Sequence, residues 1–266
     1  MRLLLATALV TFTLSAAAGT VIENKDDQGE ISRVSIEGGW ARFDGADKGE
    51  KGYMLVDLEA AKFYAVAPPE RTIIEFSPRK EKKEQEKGVK AEFKKVGPGP
   101  EVAGYATDKY ELTADGKSCG FFLMSESVAE IGDVKELLAR LGGLTPDAFV
   151  PEEMRQGLPI HRDPCEVAKM ELGKEAMVRE GYPMKMLDPK GETVEEVTAV
   201  KTGVELDPAL FELPKGYSRT TVKEMMEGMR KEMEAARDEI ERMMKEMSPE
   251  ERARMEQMMK QFGNMP

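Results

Sequence analysis

Short runs rich in β-branched and aromatic residues recur through the first third of the chain and constrain its fold more than any other feature. They span residues 31–36, 53–58, 62–66 and 72–76, and turn signals separate them roughly every ten residues. This pattern predicts an antiparallel meander of short strands. Because apolar and polar residues alternate only in part, we expect a curved sheet that is buried on one face and partly covered on the other.

The β pattern continues beyond a highly charged stretch. Residues 79–95 are dense in Lys and Glu, which is typical of a solvated loop. The runs 104–112 and 117–124 then flank Asp115-Gly116, a dipeptide that favours a tight hairpin turn. The sequence therefore predicts a second group of antiparallel strands after the charged loop.

A helical period interrupts the β pattern in the middle of the chain. Between about residues 126 and 158, apolar residues recur mostly at steps of three and four, as on one face of a helix. The β pattern returns from about residue 166 to residue 213. We therefore predict an α+β domain over residues 19–218 that contains a helical insertion.

The first residues have the composition of an export signal. Arg2 precedes an apolar run over residues 3–14, and Ala16 and Ala18 supply the small residues of a cleavage site. The run is shorter than the roughly 20 residues that span a membrane, so residues 1–18 predict a cleaved signal peptide rather than an anchor. We expect no membrane span in the mature chain and a periplasmic or secreted location.

Export changes the interpretation of the two cysteines. In an oxidising compartment, Cys119 and Cys165 most simply form one disulfide. A reactive thiol at Cys165, assisted by the nearby His161, is the alternative. Pro164 makes the intervening segment extended or turned, so contact between the two side chains depends on the fold.

A family resemblance rests mainly on residues 207–217, which read Asp207-Pro208-x-Leu210-Phe211-x-Leu213-Pro214-x-Gly216-Tyr217. This motif resembles the closing motif of an uncharacterised family of secreted bacterial domains that is distantly similar to LolA-type lipoprotein carriers. The segments 56–66, 105–119 and 181–184 are similar as well, so the resemblance covers roughly residues 20–220. It implies a half-barrel, in which helices fill the concave side of a strongly curved antiparallel sheet and acyl chains bind there. The acidic charge, the Lys/Glu loop and the long tail depart from the carriers.

The tail, residues 219–266, has the apolar spacing of two amphipathic helices. Its first segment is a heptad seam with Met226, Met233, Ile240 and Met247 at position a, and Val222, Met229, Ala236 and Met243 at position d. Ser248-Pro249-Glu250-Glu251 has the pattern of a new helix start. Met255, Met259 and Phe262 form a second apolar stripe. We therefore expect a C-terminal helical hairpin.

Methionine is concentrated in this tail, where 11 of the 19 methionines fall between residues 225 and 265. The simplest interpretation is an adaptable apolar face that packs on the domain, on a second copy or on a partner protein. Thioethers also select Cu(I), so a soft-metal site for copper or silver is an alternative. That site draws on Met226, Met229, Met233, Met243 and Met247. A membrane-surface helix and a segment similar to small periplasmic chaperones are further alternatives.

Composition removes several functional classes. The net charge of −11 argues against nucleic-acid binding, and one histidine with two cysteines excludes multi-histidine zinc and four-cysteine clusters. Gly116-Lys117-Ser118-Cys119-Gly120 matches G-x-S-x-G by letters, but the predicted strand around Ser118 is the wrong context for a nucleophile elbow. We expect no cofactor and no enzymatic activity.

These patterns together predict an exported binding or carrier protein of the bacterial envelope. The expected partner is an apolar, lipid-like ligand in the concave sheet, or a protein or second copy that contacts the tail. Soft-metal binding and a chaperone-like role remain the alternatives.

Overall fold

The computed structural model describes residues 18–76, 89–141 and 163–246. The chain divides into two compact units, residues 1–219 and 220–266. The predicted signal peptide up to residue 17, the part of the insertion over residues 142–162 and the second tail stripe therefore lie outside the described residues.

A curved sheet of twelve strands organises the described chain and confirms the expected α+β class. The strands are β1 (Gly19–Asp26), β2 (Ile31–Glu37), β3 (Trp40–Asp44), β4 (Tyr53–Asp57), β5 (Lys62–Ala67), β6 (Thr72–Phe76), β7 (Ala91–Pro98), β8 (Asp108–Ala114), β9 (Lys117–Ser125), β10 (Tyr182–Leu187), β11 (Thr193–Val204) and β12 (Ser218–Thr221). Their order in the sheet is β12-β6-β5-β4-β3-β2-β1-β11-β10-β9-β8-β7. The late strand β11 therefore returns to pair with β1 and joins the two meanders into one sheet.

The two meanders pair with different regularity. The antiparallel pairings from β1–β2 to β5–β6 run without a register shift. Each pairing from β1–β11 to β8–β7 contains a shift of the kind that a β-bulge produces. Bulges increase local twist and bend strands, so they concentrate curvature in this second half of the sheet.

The described helices are α1 (Glu126–Ala129), α2 (Gly132–Leu141), α3 (Pro164–Glu180) and α4 (Val222–Glu246), and a 3₁₀ turn spans Pro208–Phe211. The expected β structure from about residue 166 is wrong, because α3 occupies that segment. Asp163 caps α3 by accepting a hydrogen bond from the Cys165 amide (2.7 Å), and Pro164 fits the first turn. The helix interior is rich in Ala, Met, Glu and Lys, which favour helices.

The predicted charged loop also ends earlier than expected. Strand β7 begins at Ala91, so Lys94 and Lys95 lie in a strand at the edge of the sheet. Charged side chains on an edge strand oppose pairing with other chains. Residues 77–88 lie outside the described residues.

One face of the sheet, here called the helix-covered face, carries the main core. Ile22, Val34, Val56 and Phe63 of the sheet are buried together with Val128, Val134, Leu137 and Leu138 of α1 and α2. Helix α3 packs on the second meander, where Ala168 is buried with Leu112, Ala114 and Cys119. The described helices α1, α2 and α3 therefore pack on the sheet, while the half-barrel shape that the resemblance implies stays a prediction.

The opposite face of the first meander has a smaller core. Leu55, Tyr64, Val66 and Ile73 are buried there, and Phe211, Leu213 and Tyr217 pack against them. These last three residues belong to the closing segment, residues 207–217. The motif that carries the family resemblance thus packs on the sheet.

Candidate functional site

Two cross-strand rows of apolar side chains cross the helix-covered face of the first meander. Strand register places Ile22, Val34, Phe43, Met54, Ala65 and Ile74 in one row. It places Ile36, Ala41, Val56, Phe63 and Phe76 in the adjacent row. Adjacent strands lie about 4.8 Å apart, so each row is a continuous apolar track.

Burial changes along both rows. Ile22 and Ala41 are fully buried, and Phe63 is 2% exposed. Toward β6 the rows become partly exposed at Phe43, Met54, Ala65, Ile74 and Phe76. We call these five residues the open apolar patch. Phe76 stacks on Phe63 with ring centroids 5.6 Å apart, which connects the patch to the core.

Helices α1 and α2 fill the remainder of this region. Val128 and Val134 are fully buried, and Leu137 is almost so. The Thr20 hydroxyl donates a hydrogen bond to the Asp133 carboxylate (3.1 Å), which ties α2 to β1. Phe43, Met54 and Phe76 of the open apolar patch pack against the same core cluster as these helices and remain partly exposed.

Two titratable groups border the same face near β10 and β11. Burial raises the pKa of Glu195, and the neighbouring Asp26 carboxylate raises it further. Burial also raises the pKa of the Tyr182 phenol, and the Glu195 charge adds to this effect. Within the described residues, no group of three or more His, Cys, Asp or Glu side chains is placed to hold a metal ion.

Helix α3 is fixed to the sheet at both ends. Near its start, the disulfide Cys119–Cys165 joins it to β9, as the sequence predicted. At its end, the Tyr110 hydroxyl donates to Glu180 (2.8 Å). Burial and this hydrogen bond raise the pKa of Tyr110 to about 12, while Arg179 and Tyr110 hold the pKa of Glu180 below its ordinary value.

The disulfide decides between the two interpretations of the cysteines. Both sulfurs are bonded, so the described residues contain no free thiol. His161 lies outside the described residues. Ser118 lies within β9 with strand on either side, which is the context expected for a chance match to the G-x-S-x-G letters.

Arg42 holds the closing segment on the opposite face. Its guanidinium donates to both oxygens of Asp44 and to the carbonyl of Leu210 (3.1 Å), and it lies 3.6 Å from the centre of the Tyr53 ring. Arg71 similarly lies over the ring of Tyr217. The motif residues in this segment thus have a structural role, and the contacts of Arg42 were not predicted from sequence.

The predicted apolar seam of the tail lies on α4. Met226 is partly buried, whereas Met229 and Met233 are 41% and 68% exposed. Ile240 and Met243 lie in the same helix, but their side chains lie outside the described residues, as do Met247, Met255, Met259 and Phe262. The soft-metal and chaperone-like interpretations therefore remain hypotheses.

Helix α4 begins with a capping box that sequence analysis missed. The Glu224 amide donates to the Thr221 hydroxyl (3.2 Å), and the Thr221 amide donates to the Glu224 carboxylate (2.8 Å). The amide of Thr221 lowers the pKa of Glu224. The signal was the Thr221-x-x-Glu224 spacing itself.

Comparisons with known proteins do not show a family for this chain. No family model matches it, and no curated protein matches it. An uncharacterized conserved protein from Thermus thermophilus is similar in structure, with a TM-score of 0.39 and 8% sequence identity. That similarity covers 77% of this chain and 91% of the other. Of the helices in the described residues, none combines the length and the apolar character needed to cross a membrane.

Proposed function

We propose that this chain is an exported, non-enzymatic binding protein whose open apolar patch holds an apolar, lipid-like ligand. The observation that carries the proposal is the change in burial along the two apolar rows. The chain's own helices cover one end of the rows, and the other end keeps five apolar side chains partly accessible. Partly exposed apolar surface that adjoins a packed core is typical of ligand grooves.

The shape of the patch favours an elongated ligand. The row from Phe43 to Ile74 crosses four strands, which is about 14 Å at the ordinary strand spacing. Ala65 lies between Met54 and Ile74 in that row, so a small side chain is flanked by two larger ones. A flexible acyl chain fits such a shallow apolar track.

The disulfide supports export. Disulfides form and persist in oxidising compartments, and Cys119–Cys165 joins an insertion helix to the sheet. The signal-like residues 1–18 are consistent with the same location. We therefore place the binding function in the periplasm or outside the cell.

Native mass spectrometry of protein purified from the periplasm tests the proposal. The expected result is a co-purified lipid-like mass that organic extraction removes. Afterwards, the delipidated protein is titrated with a fluorescent fatty acid. Met54→Glu places a charge in the patch and is expected to weaken probe binding about tenfold, or about 1.4 kcal/mol.

Val194→Glu is the matched control. Val194 is 40% exposed and lies in β11, a strand that contributes no residue to the open apolar patch. The control should bind the probe as the wild type does. Protein that carries no lipid, or equal probe affinity in the two variants, contradicts the proposal.

A further inference from the structure

Helix α4 presents an apolar seam together with an ordered arrangement of charges beside it. In the heptad defined by Met226 and Met233 at a, the e positions are Lys223, Arg230, Arg237 and Met244. The g positions include Glu232 and Glu239. Each of these five charged residues is exposed. Three of the four e residues are therefore basic, and the charged g residues are acidic.

Charge order of this kind selects the direction of a partner helix. In a parallel two-stranded coiled coil, a g residue faces the e residue of the following heptad on the other helix. In an antiparallel pair of identical helices, e faces e and g faces g. An antiparallel pair of α4 helices would therefore bring Arg230 and Arg237 toward basic groups and Glu232 toward acidic groups.

We propose that α4 is the dimerisation surface of this protein and that it pairs with α4 of a second copy, parallel and in register. Glu232 then lies opposite Arg237 of the second copy, and this ion pair forms twice by symmetry. Met226, Met229, Met233 and Ala236 form the buried seam. Pairing covers Met229 and Met233, which are among the exposed large apolar side chains of the described residues.

Burial of the apolar seam stabilises the helix pair, and the charged residues beside it fix the direction and register of the two helices. Methionine packs adaptably, and its flexible side chain allows a seam of mixed Met and Ala to close. Gly228 lies at position c, away from the seam, where it lowers helix propensity without interrupting the contact. Helix α4 has 25 residues, which is about three and a half heptads.

Sedimentation of the mature chain, residues 19–266, tests the assembly. The wild type is expected to dimerise as its concentration rises. Glu232→Lys places a lysine opposite Arg237, and Arg237→Glu places a glutamate opposite Glu232. Each single variant is expected to weaken the dimer about tenfold or more. A mixture of the two restores attraction at both positions and is expected to form a heterodimer in preference to either homodimer.

Cysteine cross-linking tests the direction and register. Ala236 lies at d and Ala235 at c, so Ala236→Cys and Ala235→Cys are neighbouring, matched substitutions. Mild oxidation is expected to cross-link Ala236→Cys chains into disulfide dimers and to leave Ala235→Cys chains largely monomeric. Equal cross-linking at the two positions overturns the parallel, in-register arrangement.

Other occupants of the seam give different results. A wild type that remains monomeric, but dimerises when residues 248–266 are deleted, shows that the tail covers its own seam and overturns the proposal. A dimer that Glu232→Lys leaves unchanged is formed by another surface and also overturns it. A seam that contacts only a different protein gives a monomer with and without the deletion, which contradicts the proposal as well.

Discussion

The helix-covered face of the sheet and the seam of α4 both carry regularly spaced apolar side chains, but the chain treats them differently. In the sheet, Ile22 and Val34 are buried under helices from the same unit. On α4, Met229 and Met233 remain exposed. Apolar periodicity identifies an apolar face. Whether another element of the same unit packs on that face determines whether it is part of the core or a potential contact surface.

The largest expected effect is a difference in unfolding free energy between a variant in the sheet core and a variant in the seam of α4. Phe63→Ala removes a ring that is 2% exposed and stacks on Phe76, so it leaves a cavity in the core. We expect a loss of about 3–5 kcal/mol in the free energy of unfolding, measured by urea denaturation. Met233→Ala is the control, and it should leave the unfolding of the first unit unchanged. Similar losses for both variants would contradict the difference in burial.

The second largest expected effect concerns the disulfide that attaches α3 to the sheet. Replacing both Cys119 and Cys165 by serine removes the covalent link between α3 and β9. The disulfide closes a separation of 46 residues, and we expect a loss of about 2–4 kcal/mol in unfolding free energy. Wild-type protein treated with reductant should unfold at the same urea concentration as the double variant. An unchanged midpoint for both would show that noncovalent contacts alone hold α3 on the sheet.

Sequence patterns predicted the elements whose signals are local. The Asp115-Gly116 turn joins β8 and β9 as expected, with positive φ at both residues. Strands β2, β4, β5 and β6 of the first meander and the helical tail segment through residue 246 were likewise predicted. Helix α3 was missed because its apolar residues lack a strong helical period, although Asp163-Pro164 signals a helix start.

The position of the candidate site could not be predicted from local sequence patterns. The open apolar patch depends on tertiary burial, since the same row is buried at Ile22 and partly exposed at Met54. Arg42 reaches Leu210, 168 positions away, and only tertiary structure brings these residues together. Sequence therefore predicted an apolar face, but not which part of it stays accessible.

A third, smaller effect tests the noncovalent attachment of α3. Tyr110→Phe removes the hydrogen bond to Glu180, and we expect a loss of about 1–2 kcal/mol at neutral pH. The folded-state pKa of Tyr110, about 12, exceeds its ordinary value of 10.0. The contribution is therefore complete below pH 10 and is lost as the pH rises toward 12. Urea midpoints of the two proteins should converge over that pH range, and a constant difference would point to lost packing instead.

The smallest effect lies at the start of α4, where the two regions meet in sequence. Thr221→Ala removes the hydroxyl that accepts from the Glu224 amide, so the first turn of α4 loses its cap. We expect a cost of about 1 kcal/mol confined to α4, seen as faster amide hydrogen exchange in its first turns. Thr221→Ser keeps the hydroxyl and is expected to exchange as the wild type does.

The same cap makes the first turn of α4 sensitive to pH. The Thr221 amide holds the pKa of Glu224 below its ordinary value of 4.5, so the carboxylate contributes its stabilisation above that value. Wild-type protection should therefore fall as the pH drops below 4.5. If Thr221→Ala also accelerates exchange in β4 and β5, α4 is coupled to the core, and its seam cannot be treated as an independent contact surface.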